Sequence, residues 1–135
     1  MIGDAFGHLV VPWHLTTREL VADVQRVLKP GGVYALNIID YPPLSFIRAE
    51  AATLAAVFPH VALVAPPYAI SGERGANFVL FASDRELDLA GLKARLSGTR
   101  VVTSVLAGDE LRAFIGDARV LTDDFAPVDQ LLNAP

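Results

Sequence analysis

Three aspartates and two tyrosines are the residues of this sequence whose types and positions best suit chemistry on a ligand. They are Asp4, Tyr41, Tyr68, Asp123 and Asp124. A carboxylate can take a proton from an amine, neighbouring carboxylates attract a cation, and a tyrosine ring can stack on a ligand or contact an ammonium group. Together these residue types favour a small or cationic ligand.

Asp4 follows Ile2-Gly3, which is typical of the last residues of a strand. Open α/β sheets bind ligands at the carboxyl ends of their strands, so Asp4 occupies a position suited to a reactive side chain. The alternative is that this carboxylate caps the turn formed by residues 5–7. Spacing alone does not choose between the two interpretations.

The two tyrosines lie in predicted connections at strand ends. Tyr41 follows a predicted strand that ends at Ile39, where its ring could stack on a ligand, or it could simply belong to a turn whose direction Pro42 and Pro43 fix. Tyr68 precedes a glycine-containing loop, which is typical of a flexible lid whose tyrosine reaches a substrate amine. An ordinary hairpin connection is the alternative for that loop.

Asp123 and Asp124 stand side by side ahead of Pro127. Adjacent carboxylates suit the binding of a polyamine. The Thr-Asp-Asp sequence is equally typical of a turn or of the start of a helix, so on its own it is a weak signal.

Several other kinds of site are not indicated. There are no cysteines, and His8, His14 and His60 lack the spacing of metal ligands, so no metal site is predicted. Neither a G-x-S-x-G nucleophile elbow nor a G-x-G-x-x-G phosphate turn occurs. A formal charge of −4 with scattered Lys and Arg argues against a nucleic-acid surface.

No apolar run reaches the ~18–20 residues that a membrane span needs. The N-terminus also lacks a basic segment followed by an apolar one, so nothing marks the chain for export and the cytoplasm is the expected location. At 135 residues the chain is expected to form one domain.

Hydrophobic periodicity predicts the elements that position these residues. Residues 16–29 form the clearest helix, with a capping box at Thr16 and Glu19, and Ser45 is predicted to cap a helix that ends near Phe58. Strands are predicted at 33–39, 61–64, 77–83 and 101–105, with the 61–64 and 77–83 strands antiparallel. Shorter helices are predicted around Leu89, Leu92 and Leu96, and around Leu111, Phe114 and Ile115.

Alternating helices and strands predict an α/β, Rossmann-like sheet with helices on both faces. Residues 1–84 form the sheet and its helices, and residues 85–135 form a C-terminal helical extension. Because Ile2-Gly3-Asp4 looks like the tail of a strand, we expect the chain to begin in the middle of the fold.

Four segments resemble spermidine-synthase-like (aminopropyltransferase-like) proteins. They are residues 4–6 (DAF), 12–19 (PWHLTTRE), 28–33 (LKPGGV) and 121–128 (LTDDFAPV). The 28–33 motif is shared with class I S-adenosylmethionine-dependent methyltransferases, whereas the others are more specific. The resemblance implies the C-terminal half of a class I methyltransferase-type domain and runs along essentially the whole chain.

In that family an aminopropyl group passes from decarboxylated S-adenosylmethionine, the co-substrate, to a small-molecule amine. The resemblance gives Asp4 the task of deprotonating and positioning the amine, and Tyr68 that of lining the amine site. The family's second aspartate, three residues on, is replaced by Gly7. The cofactor-binding residues are expected mostly upstream of Met1, so activity is expected to require a missing N-terminal segment.

Two alternatives stay open. One is a methyltransferase of the same fold, which the 28–33 motif alone would support. The other is a truncated, non-catalytic domain that forms a homo-oligomer through an exposed sheet edge.

Overall fold

The computed structural model describes residues 1–4 and 11–132. Within them the chain forms five strands and six α-helices. The strands are β1 (Ile2–Gly3), β2 (Val33–Asp40), β3 (His60–Ala65), β4 (Ala76–Ser83) and β5 (Ser104–Ala107). The helices are α1 (Arg18–Val27), α2 (Ser45–Ala55), α3 (Pro67–Ile70), α4 (Leu89–Ser97), α5 (Gly108–Ile115) and α6 (Val128–Leu131). The predicted His8 and Gly7 features lie outside the described residues.

The five strands form one mixed sheet in the order β1-β2-β4-β3-β5. β1 and β2 are parallel, whereas β4 is antiparallel to both β2 and β3, and β5 is antiparallel to β3. The expected α/β fold and the antiparallel pairing of β3 with β4 are therefore confirmed. β5 begins later than the predicted 101–105 strand, and its pairing with β3 means that the stretch after Asp84 also contributes to the sheet.

One face of the sheet carries the main core. Register places Leu36, Leu80, Leu63 and Leu106 in one row across β2, β4, β3 and β5. Leu63 and Leu80 are fully buried. α2 packs on this face and α5 packs beside it, and α1 lies against α2. The core is thus a layer between the sheet and these helices.

Helices α1 and α2 lie on the same face of the sheet. The reason is the direction of the connections. The β1–α1–β2 and β2–α2–β3 crossovers both progress the same way across the sheet, and right-handed crossovers in one direction put their helices on the same side. On the opposite face Ala62 and Val64 of β3 are buried, whereas Ala35, Ile39, Val79 and Phe81 remain partly exposed.

Two helix starts differ from the expected ones. α1 is capped by Thr17, whose Oγ1 accepts a hydrogen bond from the Leu20 N–H at 3.4 Å, and not by Thr16. Thr16 instead donates its hydroxyl to the Trp13 carbonyl at 2.6 Å. Ser45 makes no capping hydrogen bond at the start of α2. None of the helices formed by the described residues is long and apolar enough to cross a bilayer.

Candidate functional site

Asp4 lies at the carboxyl end of β1, as predicted. Parallel register pairs Gly3 with Leu36, which brings Asp4 beside Asn37 of β2. The Asn37 Nδ2 donates a hydrogen bond to the Asp4 Oδ1 at 3.2 Å. Asp4 is nevertheless exposed. Its carboxylate is thus oriented by a neighbouring amide and open to a ligand.

Tyr41 follows β2 and lies against the turn that precedes β4. Asp40 is paired with Ala76, so Tyr41 comes next to Gly75. The Tyr41 ring occupies the space that a Cβ atom on residue 75 would need. Glycine at that position therefore allows the ring to approach the backbone closely.

Tyr68 lies in α3 and is half-buried. The Arg74 guanidinium lies over its ring, 4.1 Å from the ring centre. A substrate ammonium could use this face of the ring only by displacing Arg74. In the loop that follows, the Tyr68 carbonyl accepts hydrogen bonds from the Ser71 hydroxyl and the Glu73 N–H.

Tyr41 and Tyr68 contact neighbouring residues of one turn, Tyr41 at Gly75 and Tyr68 at the Arg74 guanidinium. Asp4 is on the far side of β2 and level with Asn37, four residues before Tyr41. That offset corresponds to ~13 Å along the strand at ~3.3 Å per residue. These three predicted site residues share one edge of the sheet without direct contact.

Asp123 and Asp124 lie elsewhere, on an exposed turn packed against the helices. Hydrogen bonds join this segment to two helices: the Leu121 N–H donates to the Thr53 Oγ1 of α2 at 2.9 Å, and the Asp123 N–H donates to the Glu19 Oε2 of α1 at 3.0 Å. The backbone N–H of Glu19 itself lowers the pKa of that carboxyl, and the Asp123 N–H and Arg18 lower it further. In the predicted capping box, the Glu19 side chain would accept a hydrogen bond from the Thr16 N–H. In the structure it accepts one from the Asp123 N–H of a distant turn.

Asp40 is a structural residue that sequence reasoning passed over in favour of Tyr41. It is fully buried at the end of β2. Its Oδ2 accepts from the Ile47 N–H and its Oδ1 from the Tyr41 N–H, both at 2.8 Å. Burial raises the pKa of Asp40, although these backbone donors oppose the shift. Asp40 therefore joins the strand end to the first turn of α2 and supplies the cap that Ser45 was expected to provide.

We expect Asp40→Asn to lower the free energy of unfolding by about 1 kcal/mol, the usual contribution of a helix cap. Asparagine keeps one acceptor oxygen but must turn its NH₂ group toward a backbone N–H. Urea denaturation of both proteins measures the loss. Asp117→Asn, at an exposed aspartate elsewhere, is the matched control, and an unchanged denaturation midpoint for Asp40→Asn would rule out the capping role.

Glu50 and Tyr34 are buried ionisable residues that sequence reasoning missed. Glu50 lies in α2 on the same helical face as Phe46, Ile47 and Leu54, all of them buried. That spacing was the available signal, because it places a carboxylate on the face that packs against the sheet. Burial raises the pKa of Glu50 well above its usual range.

No metal centre is indicated by the described residues, among which no three His, Asp or Glu side chains group together. The described part of the sheet edge therefore provides a carboxylate, an amide and two aromatic rings. These groups suit an amine or another small organic cation.

Comparison with solved structures supports the family resemblance. The chain is similar to a probable spermidine synthase from Corynebacterium glutamicum ATCC 13032, with 29% sequence identity and a TM-score of 0.82. The similarity covers 99% of this chain and 49% of that one, so this chain spans about half the length of its relative. No protein-family model and no curated protein sequence matches the chain.

The coverage is consistent with the C-terminal half that the motifs predict. The structural match covers nearly the whole chain, so the likeness is not confined to the widely shared 28–33 motif. In sequence motifs and in fold, the chain is spermidine-synthase-like and corresponds to about half of such a protein.

Proposed function

We propose that this chain supplies the amine-binding half of an aminopropyltransferase. The reaction would move an aminopropyl group from decarboxylated S-adenosylmethionine to a small amine in polyamine biosynthesis. The observation that carries the proposal is the likeness of 99% of the chain to half of a probable spermidine synthase. The exposed Asp4 carboxylate at the end of β1 adds a group suited to the chemistry.

Asp4 would act on the attacking amine. An ammonium group has no free lone pair, so it must lose a proton before its nitrogen can attack the propyl carbon beside the sulfonium. The new C–N bond forms as the C–S bond breaks, the nucleoside thioether leaves, and Asp4 takes the proton. The amide of Asn37, 3.2 Å away, would hold the Asp4 carboxylate in place.

Tyr41 and Tyr68 would line the route of the amine chain along the same edge. Their rings offer apolar area to methylene groups and a negative face to an ammonium group. Asp123 and Asp124 lie on a separate turn, so their contribution would be attraction of the cation from a distance and not a contact beside Asp4.

The donor nucleoside would need a second segment of polypeptide. The sequence contains no glycine-rich phosphate turn, and β1 is an edge strand in the described sheet. The partly exposed apolar residues on the face opposite α2 offer a surface for such a segment. In the alternative, a second copy of this chain would pair with the edge strand β1 and form a homo-oligomer.

Thermal melts with methylthioadenosine, the nucleoside product, test this division. We expect no shift for the 135-residue chain alone. Combined with the complementary half of the relative's domain, the protein should gain about 2.7 kcal/mol at a ligand concentration ~100 times the dissociation constant, which raises the midpoint by several degrees.

A product assay on the combined protein tests the reaction itself. Decarboxylated S-adenosylmethionine with putrescine should yield methylthioadenosine, whereas S-adenosylmethionine should yield no methylated product. Methyl transfer would instead support the methyltransferase interpretation. If the combined protein binds the nucleoside but transfers neither group, the proposed activity is wrong.

A further inference from the structure

A carboxylate beneath the sheet has no hydrogen-bond partner in the described structure. Glu50 is 1% exposed, and neither its Oε1 nor its Oε2 accepts a hydrogen bond from a described residue. Buried carboxylates are nearly always hydrogen-bonded or paired with a cation. Glu50 is therefore a candidate for binding a ligand that supplies hydrogen bonds or a positive charge.

Glu50 borders a cavity of about 130 Å³ between the sheet and helices α1 and α2. Most of the described lining is apolar: Leu15, Leu20, Leu36, Ile38 and Phe46. Tyr34 is the other ionisable group at the cavity, and burial together with the charge of Glu50 raises the pKa of Tyr34 to about 12. Glu50 is thus the one carboxyl group among the described residues that line the cavity.

Gly3 explains how Tyr34 fits beside this cavity. A Cβ atom on residue 3 would lie 2.6 Å from the Tyr34 hydroxyl oxygen, which is closer than real Cβ atoms approach. Glycine in β1 therefore leaves room for the phenol beneath the strand. The phenol is positioned to donate a hydrogen bond to a ligand or a water molecule in the cavity.

The residues that line the Glu50 cavity favour one chemical class of ligand. Apolar walls favour a hydrocarbon chain, and an unpaired buried carboxylate favours a cation with N–H donors. An apolar cavity of ~150 Å³ holds a benzene molecule, so this one has room for an unbranched chain of about four carbons. A hard metal ion is a poorer match, because it needs at least six oxygen ligands.

We propose that the Glu50 cavity binds an unbranched primary alkylammonium ion, with the ammonium group on Glu50 and the chain against Leu20, Leu36 and Phe46. This site lies under the sheet on its helix-covered side, whereas Asp4 lies exposed at the edge. The proposal stands apart from aminopropyl transfer, because it requires neither a donor nucleoside nor the Asp4 carboxylate.

Binding should release a proton. An unpaired buried carboxyl holds its proton, and the arriving ammonium ion replaces that proton as the source of positive charge. Tyr34 faces the cavity from β2, and the residues that face it from α1 and the preceding turn are Leu15, Thr16 and Leu20, which do not ionise. The released proton would therefore come from Glu50.

Calorimetric titration of the whole chain with n-butylammonium chloride near pH 7 tests the site. Titration in buffers of different ionisation enthalpy counts the protons released. We expect one ion bound per chain with up to one proton released. Glu50→Gln should weaken binding at least tenfold and abolish the proton release, while Asp23→Asn, at an exposed position on α1, should change neither. n-Butanol, which has the same chain without the charge, should bind at least tenfold more weakly.

Equal affinity of the wild type and Glu50→Gln for n-butylammonium would overturn the proposal, as would the absence of binding to the wild type or equally tight binding of n-butanol. Leu20→Phe narrows the cavity from α1 and leaves Glu50 in place, so it provides a second variant if Glu50→Gln fails to fold. It too should lose binding, and unchanged affinity would place the ion elsewhere. Loss of aminopropyl transfer without loss of this binding would count against the proposed function alone.

Discussion

Asp4→Asn is expected to lower the rate of aminopropyl transfer by about 10²–10⁴-fold, the usual contribution of a positioned general base. Asparagine has the same size and can still accept the hydrogen bond from Asn37, but it cannot take a proton from the amine. The loss should therefore fall on the rate of the chemical step more than on nucleoside binding. Initial rates of methylthioadenosine formation by the combined protein measure it.

The amine's own titration separates a base from a merely polar residue. If Asp4 accepts the proton, the rate of Asp4→Asn should rise with pH as more of the amine arrives already deprotonated, and part of the loss should be recovered in alkaline solution. Asp23→Asn on the exposed side of α1 is the control and should keep the wild-type rate. A rate for Asp4→Asn within about twofold of wild type would exclude this role for the carboxylate.

Local sequence patterns predict α1, β2 and β4 well, because their signals are contained within each segment. Residues 16–29 show helical spacing with a breaker after Lys29, and the structure has a helix from Arg18 to Val27. The continuous apolar run at 33–39 becomes β2 almost unchanged. Periodicity and breakers are sufficient where the pattern that defines an element lies within the segment itself.

Local patterns do not determine β5, which pairs with β3, or the hydrogen bonds at the helix starts, whose partners lie outside the predicted helices. Ser45 looks like a helix cap, yet Asp40 performs that task from the end of β2. Glu19 looks like part of a capping box, yet it accepts a hydrogen bond from the N–H of Asp123. Each of these depends on tertiary packing that brings a competing donor or acceptor closer.

The same distinction holds for the candidate site. Asp4 and Tyr41 could be placed at the sheet edge from sequence, since strand ends are local features. The distance between them depends on the register of β1 and β2, which only the pairing of Gly3 with Leu36 establishes. Glu50 is a similar case. Its position on the buried face of α2 can be predicted from sequence, whereas its lack of a hydrogen-bond partner cannot.

The lack of a hydrogen-bond partner for Glu50 should lower the free energy of unfolding of the protein. We expect Glu50→Met to raise the free energy of unfolding at neutral pH by about 1–3 kcal/mol, the usual cost of an unsatisfied buried polar group. Methionine has a similar length and can fill the space near Phe46 without a polar atom that needs a partner. Urea denaturation of the unliganded proteins measures the gain, and a Glu50→Met protein less stable than wild type would mean that Glu50 has a partner in solution.

The pH dependence of the gain identifies the carboxyl as its source. Burial raises the folded-state pKa of Glu50 above its unfolded value of about 4.3, so folding favours the protonated form. The stability contributed by that form is fully present below the unfolded pKa and is lost as the pH rises through the folded pKa. Glu50→Met lacks this loss, so its advantage over wild type should widen from about pH 4 toward pH 8.

Other groups with shifted pKa values are present in both the wild type and Glu50→Met, so their effects cancel in the difference between the two free energies of unfolding. One of them is Glu19, whose lowered pKa acts in the opposite direction. Adding n-butylammonium at neutral pH should then narrow the gap, because the ion stabilises only the protein that retains the carboxylate. A gap that widens with pH and closes with the ion would show that one side chain carries both the cost in stability and the binding. Parallel pH curves would instead show that Glu50 keeps the same protonation state when the chain folds.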